Sequence, residues 1–287
     1  MNQFNNRLAV ITGGASGIGQ QLAIQLSQYG ANIALCDLSP ERMAETVDLC
    51  HPSSHVSTHT VDVSNESQMT SFATQVASAH ETDSINLLFN NAGIAGGGSF
   101  VTDETNVWER TFDVCWRGVY LGCRAFMPML LAADEAHIIN TSSINGFWAS
   151  IGVDRPHTAY SAAKFAVKGF TEALIADLRT NAPHIGCSVV MPGHIGTSIV
   201  ANSLTAHGAP ATAEVTEMSN AFRNNAATTA ESAAQIILDG VANKRWRILV
   251  GDDAHLLDSL VRDNPETAYE PEFIDQLEQH SILGGLL

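Results

Sequence analysis

Tyr160 and Lys164 stand one helical turn apart in Tyr160-Ser161-Ala162-Ala163-Lys164, inside a segment with helical patterning. That spacing puts a phenol and an ammonium on the same helix face. A neighbouring cation favours phenolate and draws the phenol down from its ordinary pKa of about 10. A phenol tuned in this way is a general acid or base for the oxygen of an alcohol or ketone. Upstream, Thr141-Ser142-Ser143 closes an aliphatic run, which places a hydroxyl where it can hold such an oxygen.

A second constellation lies near the start of the chain. Thr12-Gly13-Gly14-Ala15-Ser16-Gly17-Ile18-Gly19 joins an apolar run to an amphipathic segment. A glycine-rich strand-to-helix turn lets backbone N–H groups approach a pyrophosphate, with the positive helix end behind it. The spacing is TGxxxGxG, distinct from the GxGxxG fingerprint. The next apolar run ends at Asp37, where a carboxylate can accept from both ribose hydroxyls of an adenosine and repels a 2′-phosphate. Position 16 is Ser, and no Lys or Arg follows Asp37 until Arg42, so no cation offsets that repulsion. The charge logic therefore favours NAD over NADP. Asp62-Val63 and Asn90-Asn91-Ala92-Gly93 close two further runs.

These groups need elements to position them. Strands are expected at Leu8–Thr12, Asn32–Asp37, Val56–Val63, Asn86–Asn90, His137–Thr141, Gly186–Val190 and Arg247–Val250. Helical patterns fall at Gly17–Tyr29, Pro40–Leu49, Glu66–Ala79, Thr105–Arg110, Arg117–Leu131, Thr158–Thr180 and Ala230–Ala242. Alternating β and α segments with continuously apolar strands predict an α/β fold: a doubly wound, Rossmann-type parallel sheet of about seven strands with helices on both faces. Ligands of such sheets sit at the carboxyl ends of the strands, where Asp62-Val63 and Asn90–Gly93 fall. No composition shift marks a boundary, so residues 1–251 read as a single domain. Within it, 198–229 is long, small and polar, with little periodic core, and reads as a lid. Residues 252–287, ending in Gly284-Gly285-Leu286-Leu287, read as an extension packed on the same domain or at a subunit interface.

Composition narrows the partners. The chain has 287 residues, with 14 Lys+Arg against 30 Asp+Glu and a formal net charge of −16. Such a surface repels phosphate backbones and anionic membranes, so neither nucleic acid nor a membrane is expected as a partner. No apolar stretch reaches the length that spans a bilayer, and no signal peptide is read at the start. Five scattered cysteines without a CxxC pair suggest reduced thiols and a cytoplasmic protein. His51, His55 and His59 recur at helical spacing, but Pro52 and the Ser/Thr/Val run argue for a loop entering a strand, so no metal site is expected.

Taken in order, Thr12–Gly19, Asp37, Asp62-Val63, Asn90–Gly93, Ser142-Ser143-Ile144-Asn145-Gly146, Tyr160xxxLys164 and Pro192-Gly193-His194-Ile195-Gly196-Thr197 resemble the short-chain dehydrogenase/reductases of the ordinary single-domain NAD(P)-dependent type, over residues 8 to about 200. The resemblance implies that Tyr160 is the general acid/base, that Lys164 lowers its pKa and binds the nicotinamide ribose, and that Ser143 holds the substrate oxygen. Ser143 is chosen over Ser142 because Gly146 follows it by three positions, as in the family. The resemblance also implies that Gly13, Ser16, Gly17, Ile18, Gly19, Asp37 and Leu38 bind the cofactor. Asp62 and Val63 would flank the adenine, and Asn90, Ala92 and Gly93 would line the channel. Pro192, Gly193, Ile195 and Thr197 would meet the nicotinamide. Ile94, Phe147, Trp148 and His194 would contribute to the substrate pocket, with His157 near the chemistry. A homodimer or homotetramer built on Arg117–Leu131 and Thr158–Thr180 is implied as well.

Two features depart from the family pattern. Val114-Cys115-Trp116-Arg117-Gly118 carries a thiol where the family has an Asn, and a thiol cannot replace the donors and acceptor of an amide. A proton relay behind Lys164 would then run through water and backbone, or be weaker. The Ser143-to-Tyr160 spacing is also longer than the family norm, with the excess at Asp154-Arg155-Pro156-His157, a loop insertion at the pocket mouth. Three functions follow as expectations: an NAD-dependent dehydrogenase of a hydrophobic secondary alcohol or ketone, an NADPH-dependent carbonyl reductase, and a weakly catalytic NAD(H) sensor or scaffold.

Overall fold

Seven strands line up side by side as one parallel sheet, apolar except for the polar edge strand at 56–60. The computed structural model describes residues 4–152, 155–208 and 212–279. In chain order the elements are β1 (Leu8–Thr12), α1 (Gly17–Gln28), β2 (Asn32–Asp37), α2 (Pro40–Leu49), β3 (Val56–Thr60), α3 (Glu66–Ala79), β4 (Leu87–Asn90), α4 (Thr105–Phe112) and α5 (Gly118–Leu131). They continue as β5 (Ala136–Thr141), α6 (Thr158–Asn181), β6 (Ile185–Pro192), β7 (Ile195–Gly196), α7 (Ile199–Ala206), α8 (Ala213–Asn225), β8 (Thr228–Thr229), α9 (Ala230–Ala242), β9 (Arg247–Val250), α10 (Asp252–Asp263) and α11 (Pro271–Gln279). A π-turn, Asp113–Arg117, joins α4 to α5.

The sheet order is β3-β2-β1-β4-β5-β6-β9, with every pairing parallel. The order reverses between β1 and β4, and a crevice opens there beyond the carboxyl ends. β1 and β4 are buried along their whole length, as a strand covered on both faces must be. One core layer packs α3, α5 and α6 on one face around Phe72, Phe126 and Ile138. The other packs α1 and α9 on the opposite face around Leu22, Leu26 and Ile237. Side chains cap the starts of several helices: Ser39 accepts from Arg42 N–H, Asn65 from Gln68 N–H and Thr229 from Ser232 N–H.

One strand bound needs correction. β3 ends at Thr60, three residues early: its ladder with β2 finishes at the Asp37–Thr60 pair, and Asp62 then folds onto Ser64. The polar segment 198–229 holds α7 and α8, with Thr212 capping α8 through Val215 N–H. Their apolar faces are too short to register as periodicity, and their packing is supplied by the rest of the fold. Residues 209–211 of that segment lie outside the described residues. In the tail, α10 and α11 bury Leu257, Phe273, Ile274 and Leu277 against Ile144 and Trp148 of the same chain, forming a third cluster. The final Gly284–Leu287 lies outside the described residues.

Candidate active site

The turn between β1 and α1 is built by glycines at positions where a side chain would be strained. Gly13 has φ +68°, and a Cβ there would sit 2.9 Å from the Ala92 Cα, so the ends of β1 and β4 touch only because the side chain is absent. Gly17 has φ +55° and opens α1 beside Thr197. Ser16, the N-cap, makes no side-chain bond to the helix, so the first N–H groups of α1 carry no side-chain cap beneath this turn. An uncapped helix start under a glycine cradle fits a pyrophosphate. Gly19 has a different job from the one expected: its Cα packs against the Gly13 carbonyl, away from the cavity, and a Cβ there would collide with that oxygen.

Asp37 is held with one carboxylate oxygen on Ala15 N–H at 3.1 Å and the other on Leu38 N–H at 2.7 Å. It faces the same cavity as Ser16, Ile18, Leu38, Asp62 and Val63. Burial pushes the Asp62 carboxyl upward, but the Ser64 hydroxyl and N–H and the Arg110 guanidinium outweigh it and hold the group below its ordinary range. Arg42 also reaches this end of the cavity; its guanidinium donates to Asn202 at 2.9 Å, and Asn202 donates to the Ser16 hydroxyl at 3.1 Å.

At the other end stand Ser143, Tyr160 and Lys164. The Ser142 hydroxyl donates to the Lys164 carbonyl at 2.7 Å and pins α6 to the end of β5, which frees Ser143 to face the cavity. The Ser143 hydroxyl accepts from Asn145 N–H at 3.1 Å and neighbours the Tyr160 phenol across the cavity wall. Lys164, 2% exposed, donates to the Thr141 carbonyl at 2.9 Å, and its ammonium lies 5.3 Å from the Tyr160 ring centroid. The expectation that Lys164 draws the phenol down is not met by this geometry. Burial raises the phenol pKa, the Cys115 sulfur adds to it, and the neighbouring Ser143 hydroxyl opposes both. Burial likewise lowers the Lys164 ammonium. The ammonium is aimed at the ring and at a carbonyl, so desolvation wins.

Cys115 sits in the π-turn, fully buried, with its thiol donating to the Ile94 carbonyl at 3.1 Å. A Cβ on Gly93 would lie 3.5 Å from the Lys164 ammonium and 3.8 Å from the Cys115 sulfur, which places both behind the same glycine. A π-turn inside a helix often marks a functional position.

One cavity of about 990 Å³ connects the two ends, at the upper limit for small-molecule clefts. Gly13, Gly17, Ala92, Gly93, Pro192, Gly193, His194, Ile195 and Thr197 line it where expected, as does Ile94. Asn90 does not: it points into the sheet, donating to Asn140 at 2.8 Å across the β4–β5 pair, and the lining residue is Asn91. Successive strand residues face opposite ways, so a one-position error inverts the assignment. Phe147 and Trp148 also turn away. Trp148 is buried against Phe273 and donates to the Ala268 carbonyl at 2.7 Å, while Phe147 lies under the Arg247 guanidinium. The walls come instead from Ile144 and Ile151, which sequence reasoning missed, and from Val200, Met218 and Phe222 of the 198–229 segment. The Thr212 cap was the one local signal for α8. His194 is tied by its N–H to Asp253 and by Nε2 to the Phe222 carbonyl at 2.7 Å. Arg155 and His157 of the inserted loop line the cavity; Asp154 lies outside the described residues. His51 and His59 are bonded to Ser53 and Ser57, and His55 stacks on His80. No three His, Cys, Asp or Glu side chains converge among the described residues.

The sequence profile of the short chain dehydrogenases matches residues 7–207. SadH, a provisionally assigned oxidoreductase of Mycobacterium tuberculosis, is 36% identical over 263 residues, 91% of this chain and 92% of its own. The cyclohexanol dehydrogenase of an Acinetobacter species is 34% identical over 206 residues, 70% of this chain and 77% of its own. A crystal structure of a short-chain dehydrogenase/reductase from Burkholderia phymatum in complex with NAD superposes with a TM-score of 0.82 at 29% identity, covering 94% of this chain and 98% of that one. The chain therefore belongs to the short-chain dehydrogenase/reductase family, oxidoreductases that work with a nicotinamide cofactor.

Proposed function

We propose that this chain is an NAD-dependent dehydrogenase that interconverts a hydrophobic secondary alcohol and its ketone. One observation carries the reading: Ser143, Tyr160 and Lys164 meet at one end of a continuous cavity whose other end carries the phosphate turn and Asp37. Gly13, Ser16, Gly17, Ile18, Asp37, Leu38, Asp62, Val63, Ala92, Gly93, Lys164, Pro192, Gly193, Ile195 and Thr197 would hold the cofactor. When bound, NAD supplies a hydride acceptor at its nicotinamide ring. The protein's own part is orientation and proton transfer. The Ser143 hydroxyl steadies the substrate oxygen, and the Tyr160 phenol exchanges the proton with it. Burial keeps the phenol protonated in this state, which suits donation to a ketone oxygen; taking a proton from an alcohol requires added positive charge nearby. Lys164 stands beside the Tyr160 ring and offers its remaining N–H donors to the cavity.

Ile94, Ile144, Ile151, Val200, Met218 and Phe222 make the catalytic end apolar, which supports a hydrophobic substrate beneath a lid of α7 and α8. A cyclohexanol dehydrogenase among the relatives agrees with that class. Tyr120 and Phe165 are exposed on α5 and α6, and we assign those helices to a homodimer or homotetramer. Five free cysteines, all buried, suit the reducing cytoplasm. The NADPH-dependent reading is favoured by one observation, the Arg42 guanidinium at the Asp37 end of the cavity.

The test is NAD reduction and NADH oxidation over a panel of alcohols and ketones, with NADP in parallel and Tyr160→Phe as control. Turnover with NAD that falls by about a thousandfold or more in the variant is expected, in line with the worth of a general acid/base and its orienting bonds. Turnover with NADP alone would transfer the assignment to the reductase. Tight NADH binding without turnover would favour the sensor.

A further inference from the structure

His157 stands at the N-cap of α6, three positions before Tyr160, and lines the cavity with its ring centroid 4.7 Å from that of the phenol. It does not cap the helix, and its ring nitrogens have no hydrogen-bond partner among the described residues. Its backbone is firmly placed. Thr158 N–H donates to the Gly98 carbonyl at 2.9 Å, Ala159 N–H to Gly97 at 3.0 Å, and the His157 carbonyl accepts from Ser161 at 3.0 Å. Two neighbouring polar side chains at this end are already engaged. His194 is bonded to Phe222, and the Asn145 amide to the Trp148 and Ser150 carbonyls. Burial holds the His157 imidazole down to about 4, so it is neutral at pH 7, with one donor and one acceptor nitrogen. A half-buried neutral imidazole facing apolar walls needs a partner, and leaving it unmatched is penalised.

We propose that His157 is a specificity residue that hydrogen-bonds a second oxygen of the substrate. The preferred substrate is then a hydrophobic alcohol or ketone with a hydroxyl, carbonyl or ether oxygen close to the reacting carbon. This inference rests on the dehydrogenase reading above. A site built to bond a polar group discriminates strongly against the analogue that lacks it, whereas an apolar site barely separates the two.

The experiment compares matched pairs: cyclohexanol with 1,2-cyclohexanediol in oxidation, and cyclohexanone with 2-hydroxycyclohexanone in reduction. Wild type is expected to favour the dioxygenated member in kcat/KM by about tenfold or more. His157→Phe, which keeps a planar ring, should lower that preference by about tenfold, and His157→Gln should restore part of it. A purely structural role would scale both members of a pair alike. Equal kcat/KM for the pair in wild type, or an unchanged ratio in His157→Phe, overturns the proposal. Wild type silent on every pair while NADH still binds rejects this substrate class and leaves the cofactor reading standing. Failure of NADH to bind rejects the reading beneath it.

Discussion

Trp148→Ala should unclamp the C-terminal segment from the serine turn. Trp148 is 0% exposed and packs among Ile144, Leu257, Phe273 and Leu277, with its indole N–H on the Ala268 carbonyl at 2.7 Å. Removing a buried aromatic side chain costs about 3–5 kcal/mol. The orphaned Ala268 carbonyl adds about 1 kcal/mol, at the low end because water can enter the new space. A loss of about 4–6 kcal/mol is a large part of a typical stability of roughly 5–15 kcal/mol. At about 2–4 °C per kcal/mol it is a fall of roughly 8–24 °C in Tm. Trp148→Phe keeps most of the apolar area and loses the hydrogen bond, so about 1–2 kcal/mol is expected. Because this cluster is separate from the two cores flanking the sheet, residues 252–279 should open first. The same turn begins one residue after Ser143, and Trp148 N–H closes it on the Ile144 carbonyl at 3.0 Å. In the alanine variant kcat should therefore fall while NADH affinity holds. Guanidinium unfolding followed by circular dichroism gives the stability, and amide hydrogen exchange shows whether the tail opens. A loss below about 1 kcal/mol for Trp148→Ala, or equal losses for Phe and Ala, would refute the packing argument.

Two further predictions concern charge. Asp37→Asn removes the carboxylate that repels a 2′-phosphate while Arg42 remains nearby, so the ratio of NAD to NADP affinity should fall by about tenfold or more, read by titration of both cofactors. In the sheet, His137 is buried with Nε2 at 2.7 Å from the Ser188 hydroxyl; burial first, and the Lys244 charge second, depress it from 6.5 to about 4. The unfolded chain therefore binds a proton below about pH 6.5 that the folded chain refuses until about pH 4. Its stabilising contribution is complete above pH 6.5 and is lost as the pH falls to 4, an order of about 3 kcal/mol. Against wild type, His137→Gln should show a flatter decline in denaturant stability across that window; parallel curves would remove His137 as the cause.

Much of this site is legible in short stretches of sequence. The glycines at 13 and 17, the acid at 37, the Ser143 turn and the Tyr160–Lys164 pair act through spacings set by a strand end or one helical turn, and local backbone geometry preserves those spacings wherever the element sits. The same holds for the sheet, since β1, β2 and β9 keep the bounds that their apolar runs imply. What periodicity could not decide is which way a residue faces at a boundary and what it meets from far along the chain. Asn90 and Asn91 differ by one position and point to opposite sides. Trp148 reads as a pocket wall until Ala268, 120 residues on, takes its indole N–H. Asn202 becomes a bridge only because Ser16 and Arg42 arrive beside it. Helices α7 and α8 have little core of their own and exist against the rest of the fold. Sequence by itself determined the fold class, the glycine turn after β1 and the spacing that brings Tyr160 and Lys164 together, because these rest on local geometry. Tertiary structure alone decided the walls of the cavity, the charge balance on Tyr160 and the placement of the tail, because burial and long-range packing are properties of the assembled chain.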